Sequence, residues 1–148
     1  MTVPMTAPST HHRRGRGVAA VLLGFVAVAV LSLVTDQVLH VFGVYPPWGQ
    51  PMWDASDNLL ALAYRSVYTV VGGYIVARLA PRNPMRHVLV LGVLGFLVAL
   101  AGTIATIPTE LGPAWYPVAL VLTAVPLVWL GGVLHRVRRG DRSPAVST

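Results

Sequence analysis

Asp36 and Arg65 are the residues of this sequence whose types and setting promise chemistry. Each stands inside a long apolar run, Asp36 in "SLVTDQVLHVFG" and Arg65 in "LALAYRSVYTVVGGYIVARLAP". A lone charge at the centre of a bilayer costs about 2.5–3.5 kcal/mol on insertion scales, so each residue calls for a partner. An opposite charge is the best one, because pairing keeps both groups ionised and satisfies guanidinium donors. Ser32, Asp36 and His40 recur every fourth residue and share one helical face, as do Asn58, Ala61, Arg65, Tyr68 and Gly72. If these faces meet, an Asp–Arg pair results with Ser32, His40, Asn58 and Tyr68 nearby. Such a cluster is either a tie that fixes the register of two helices or a site for a proton or an anionic substrate, in which His40 would titrate near neutral pH. A third reading lets the two charges snorkel independently to the headgroups.

The elements that position these residues are read from composition. The chain of 148 residues is 55% hydrophobic and only 11% charged, against about 25% charged in soluble domains. About 20 apolar residues cross a bilayer as a helix, and four segments qualify, about 17–42, 58–79, 87–107 and 115–134. The breaks fall at "YPPWGQP", "APRNP" and "PTELGP", where turn chemistry is strongest. Asp57-Asn58 reads as the cap of the second span. The expected fold is all-α, a four-helix membrane domain over 17–139 with disordered polar tails at 1–16 and 140–148. A cleaved signal peptide, with "HHRRGRG" as its charged region and Ala27-Val28-Ala29 as its cleavage site, is the rival for the N-terminus. The apolar run continues unbroken to Val34, which favours a retained span.

Charge sorts by side. Arg13, Arg14, Arg16, Arg78, Arg82, Arg86, Arg136, Arg138, Arg139 and Arg142 flank one set of span ends, while the connections at the other set carry Asp54, Asp57 and Glu110. Only Arg65 departs from the pattern. The positive-inside rule then puts both termini in the cytoplasm of a multi-pass inner-membrane protein. So strong a bias disfavours dual-topology multidrug transporters, which insert both ways. Trp48, Trp53, Trp115 and Tyr116 fall near the outer boundary, where amphipathic rings favour the interface. The arginines serve topology first. A sharper reading adds an anionic-lipid site formed by Arg78, Arg82, Arg86, His87, His135 and Arg136.

Small residues recur every fourth position at Thr69, Gly73, Ala77 and at Gly95, Ala99, Thr103. Such rows let helix backbones approach closely, within the bundle or, less often, between copies in a homo-oligomer. Pro126 falls inside the fourth span, where it should kink the helix. The sequence has no cysteine, which excludes disulfides, thiol redox chemistry and Cys-ligated metal. It has no HExxH, serine elbow or phosphate-loop spacing. Neither cofactor, metal nor nucleic acid is expected.

"TDQVLHVFGVYPPWGQPM", "ALAYRSVYTVVGGYIVARLAPRNPMRHVLVLG" and "WYPVALVLTAVPLVWLGG" resemble a widespread group of uncharacterised small bacterial membrane proteins. The shared features are the Asp-x-x-x-His of span one, the Tyr-Arg and Gly-Gly-Tyr of span two and the Ala-Pro-x-x-Pro-Met-x-His turn. The resemblance implies a four-helix integral membrane protein and transfers no catalytic residue. The expected function is therefore that of a non-enzymatic membrane protein with a polar site in its outer half. The rivals are a small transporter or channel subunit that uses Asp36, His40 and Arg65, and a quinone or haem binder.

Overall fold

The computed structural model describes residues 10–140. Four helices account for most of them, α1 (Thr10–Val41), α2 (Ala55–Leu79), α3 (Pro84–Thr106) and α4 (Trp115–Gly140), with one 3-10 turn at Ile107–Thr109. All four are long and apolar enough to cross a membrane. Each runs antiparallel to the next, so the bundle has an arginine end, holding Arg16, Arg78, Arg82, Arg86, Arg136, Arg138 and Arg139, and a tryptophan end, holding Trp48, Trp53 and Trp115.

The helix limits differ from the expected ones in an instructive way. α1 starts at Thr10, so positions 10–16 of the expected tail are helical. Gly140 likewise closes α4. Arginine is a good helix former, and Arg13, Arg14 and Arg16 at one end and Arg136, Arg138 and Arg139 at the other favour continuing the helix beyond the apolar segment. Positions 1–9 and 141–148 of the expected tails lie outside the described residues. The cap of α2 is Asp54, three residues before Asp57, and its side chain accepts from the backbone N–H of Ser56. Hydrogen bonds from the Ser56 backbone and hydroxyl hold the Asp54 carboxyl below its ordinary pKa of 3.8. α3 opens with Pro84 at its first turn, where a missing N–H is harmless. Asn83 before it takes a left-handed backbone (φ 47°). α4 runs unbroken through Pro126.

Helix α2 packs most extensively on α4, α3 packs closely on α4, and α1 leans on α2 and to a lesser extent on α3. Glycine sets the closest approach. A Cβ on Gly73 would run into the Val128 carbonyl, and one on Gly131 into the Val70 carbonyl, so α2 and α4 meet backbone to backbone. Gly24 and Gly72 do the same for α1 and α2, where a Cβ on Gly72 would stand 3.3 Å from the Gly24 carbonyl oxygen. Around these crossings Val21, Val76, Ala77, Val88, Leu91 and Val128 form the buried core, with Phe25 against it. This core belongs to the arginine half. The expected packing row Thr69, Gly73, Ala77 divides along its length. Gly73 and Ala77 are buried, whereas Thr69 borders a cavity.

Toward the tryptophan end the helices part. Gly92 faces Val125 at ordinary contact distance, but a Cβ on Gly95 or Gly102 would meet nothing within 4 Å. The row Gly95, Ala99, Thr103 was expected to seat a neighbouring helix. It holds α4 only at Thr103, whose hydroxyl donates to the Pro117 carbonyl at 3.1 Å. Elsewhere the row forms the wall of an open space.

Candidate functional site

The site begins with Asp36 of α1. Counting inward from the tryptophan ends of two antiparallel helices puts Asp36 and Arg65 at matching depth. Arg65 Nη2 donates to Asp36 Oδ2 at 2.5 Å. The second carboxylate oxygen, Oδ1, accepts from the Tyr64 hydroxyl. Asp36 is 7% exposed, so both of its oxygens are satisfied where an unpaired carboxylate would be costly. Arg65 is the more open partner, with 32% of its side-chain surface exposed. Its contact with Asp36 uses one terminal nitrogen, and among the described residues its buried Nε finds no partner.

Tyrosines surround the pair. Tyr45, from the connection between α1 and α2, is buried beside Tyr64 and donates to the Asp57 carbonyl at 3.2 Å. Burial pushes its pKa above the ordinary 10.0, so it remains a neutral donor. Tyr116 of α4 stands near Arg65 on the wall of the same cavity. Tyr68 is one turn further along α2. It packs near Tyr64, with ring centroids 5.8 Å apart, and shares a 2.9 Å hydrogen bond with Thr35.

Three residues expected in the cluster have other tasks. His40 turns away from Asp36 into the following connection. Its Nδ1 lies 2.6 Å from the Pro46 carbonyl, which can only accept, so Nδ1 carries the proton. Its ring packs 4.0 Å from that of Trp48, which in turn donates to Gln37. Asn58 donates to the carbonyls of Met52 and Asp54 and so ties the connection to the start of α2. Ser32 is buried one turn below Asp36, on the wall of the cavity. Tyr64, Tyr45 and Tyr116 take the places expected for His40, Asn58 and Tyr68. The signal for Tyr64 was its position beside Arg65, since Asp36 has two oxygens to satisfy and one guanidinium contact fills one of them.

The cavity adjoining Arg65 has a volume of about 540 Å³ and draws its walls from all four helices. Arg65 is the charged residue in its lining. Apart from the Asn58 amide the rest is apolar or hydroxyl-bearing, with Phe25, Val28 and Ala29 from α1 facing Val98, Ala99 and Gly102 from α3, and Leu120, Ala124 and Leu127 from α4. Gly102 and Thr106 at its rim are exposed, so it opens sideways along α3. Its tryptophan end is roofed by the two connections. The Met52 N–H donates to the Leu111 carbonyl at 2.7 Å, and Met52, Leu111 and Gly112 all border the space.

At the arginine end Arg78, Arg82, Arg86 and Arg136 are exposed. His87 is not free beside them, because its ring fills the place a side chain on Gly17 would take. His135 packs edge-on against Tyr74, with ring centroids 5.3 Å apart, and Arg138 lies over the same ring at 5.7 Å. The two histidines are therefore packing groups flanked by a ring of exposed arginines. No group of three or more His, Cys, Asp or Glu among the described residues is placed to hold a metal ion.

Compared with protein-family models, with curated proteins and with solved structures, the chain finds no match in any of the three, and no family is assigned to it.

Proposed function

We propose that the protein is a non-enzymatic, multi-pass protein of a bacterial cytoplasmic membrane, with both termini inside, that binds a small apolar molecule in its outer half. The cavity beside Arg65 is the observation that carries this reading. A space of about 540 Å³ falls in the range of pockets that hold drug-sized ligands, and a side opening at span depth gives access from the bilayer. The Asp36–Arg65 pair serves as the fixed polar wall of this chamber and the register tie of the first hairpin. The orientation rests on the arginines. Among the described residues every arginine but Arg65 stands at the end of the bundle where α1 begins and α4 ends, as the positive-inside rule asks of a cytoplasmic face. Exposed Trp48, Trp53 and Trp115 then stand at the outer interface.

A photoactivatable diazirine hydrocarbon, added to the protein in liposomes, tests the chamber. Labelling is expected at Ser66 and Thr69, which border the cavity, and is expected to fall in Gly95→Leu, whose side chain would narrow it. Labelling confined to exposed positions such as Leu22 and Leu122 would sink the chamber. For orientation, an impermeant maleimide should react with Trp48→Cys in intact cells and with Arg82→Cys only after permeabilisation. The reverse order would overturn the assigned sides.

A further inference from the structure

The hydrogen-bond ledger of the cavity points to a class of ligand. Most hydroxyls on its wall are already bonded to the backbone. Ser66 donates to Leu62, Thr69 to Arg65, Thr103 to Ala99 and Pro117, and Thr123 to Ala119, all of them backbone carbonyls at 2.6–3.1 Å. Arg65 is the charged exception, beside the Ser32 and Tyr116 hydroxyls, which form no hydrogen bond among the described residues. A guanidinium carries five N–H donors, and Arg65 uses one terminal nitrogen, Nη2, on Asp36, which leaves Nη1 of this 32% exposed side chain free to donate. Donors left unpaired in an apolar space are costly, and a ligand that supplies an acceptor removes that cost.

Charge decides what kind of acceptor. Asp36 already balances Arg65, and no second cation among the described residues lines the cavity. A carboxylate or phosphate head would put two anions around one guanidinium and leave a net negative charge within apolar walls, where isolated charge is most expensive. An uncharged carbonyl accepts the same hydrogen bonds without that penalty. From Arg65 the remaining wall runs along α3 past Ala99, Val98 and Gly95 and offers apolar contact to a tail. We infer that the chamber takes an uncharged lipid with a carbonyl head, which accepts from Arg65, and a hydrocarbon tail laid against α3. This inference rests on the chamber reading above and names its substrate class. A quinone ring and a glycerol ester both supply that head.

Competition against the diazirine hydrocarbon at Ser66 and Thr69 tests it, with the full-length protein in liposomes. The competitors are decylubiquinone, dioleoylglycerol, oleate and hexadecane. One of the two carbonyl lipids should displace the label at about a tenfold lower concentration than oleate or hexadecane, the advantage expected when one unpaired donor gains a partner. Whichever of the two wins identifies the source of the head. Equal potency of all four, or a lead for oleate or hexadecane, overturns the inference while the chamber stands. Failure of the hydrocarbon to label Ser66 and Thr69 at all removes the chamber and this inference with it. Because Arg65→Met alone strands Asp36, the second arm is the double variant Asp36→Leu with Arg65→Met. It should still be labelled by the hydrocarbon but lose the preference for carbonyl lipids, and a preference that survives in it also overturns the inference.

Discussion

At the arginine end, Gly73 and Gly131 let α2 and α4 touch through their backbones, and Val76, Val88 and Val128 close around the crossing. At the tryptophan end, Gly95 and Gly102 are just as small and face open space. The same residue type thus serves close packing in one half and vacancy in the other. The difference lies in what surrounds it. Where helices cross at glycine, contact between backbones supplies the dispersion attraction that holds helices together in lipid, because no hydrophobic drive operates there. Where they part, that attraction is forfeited. The tryptophan half relies on polar links in its place, Asp36 to Arg65 and Tyr64, Thr35 to Tyr68, and Met52 to Leu111.

This contrast can be broken by substitution. Gly131→Leu should do the most damage, because its Cβ enters the α2 backbone. A loss of about 3 kcal/mol is expected in reversible unfolding in mixed micelles. Gly95→Leu, placed in open space, should stay within about 0.5 kcal/mol of the parent in the same measurement. Equal losses would show that the two halves are packed alike. Asp36→Ala ranks next. It strands Arg65 and the Tyr64 hydroxyl, and a loss of about 2 kcal/mol is expected, below the figure for a fully buried pair because Arg65 is partly open. Adding Arg65→Leu should recover at least half of that loss in the double variant, and no recovery would mean that the two side chains act separately. Asn58→Leu should cost about 1 kcal/mol by releasing the connection from Met52 and Asp54, read as a lowered unfolding midpoint.

The smallest effect belongs to the Asp54 cap. Its carboxyl has a lower pKa folded than unfolded, so its contribution is complete above the ordinary value of 3.8. The contribution fades as pH falls through the lower folded-state value. Asp54→Ala should lower Tm slightly at neutral pH and match the parent at the acid end of a pH series. A gap that persists there would assign the effect to something other than the cap.

Much of the fold could be read from apolar length and from Pro/Gly turns, because lipid leaves few alternatives to the helix. The match between Asp36 and Arg65 could be read too, since it needs only antiparallel counting at 1.5 Å per residue. Rotation about the helix axis was harder. Tyr64 and Tyr68 are one turn apart on α2, and only the final packing angle decided that Tyr64 reaches Asp36 while Tyr68 reaches Thr35. His40 shared the face of Asp36, yet the Pro46 carbonyl and Trp48 claimed it, and those partners depend on how an irregular connection folds back. The cavity left no trace in composition. Gly95, Ala99 and Thr103 have the pattern of a helix–helix seam, and whether a neighbour fills that seam is a property of the whole bundle.

The Asp36–Arg65 contact also bears on how the chain is made. The two residues are 29 positions apart, so α1 leaves the ribosome with a carboxylate that has no counter-charge until the whole of the next connection and the first part of α2 have followed. A helix carrying that charge alone is a poor substrate for release into lipid. The first hairpin should therefore leave the insertion machinery as one unit, with α1 waiting for α2. Nascent chains stalled just before and just after Arg65 emerges would reveal this wait. Only the longer chain should resist extraction from the membrane at alkaline pH, and Asp36→Leu should remove the difference.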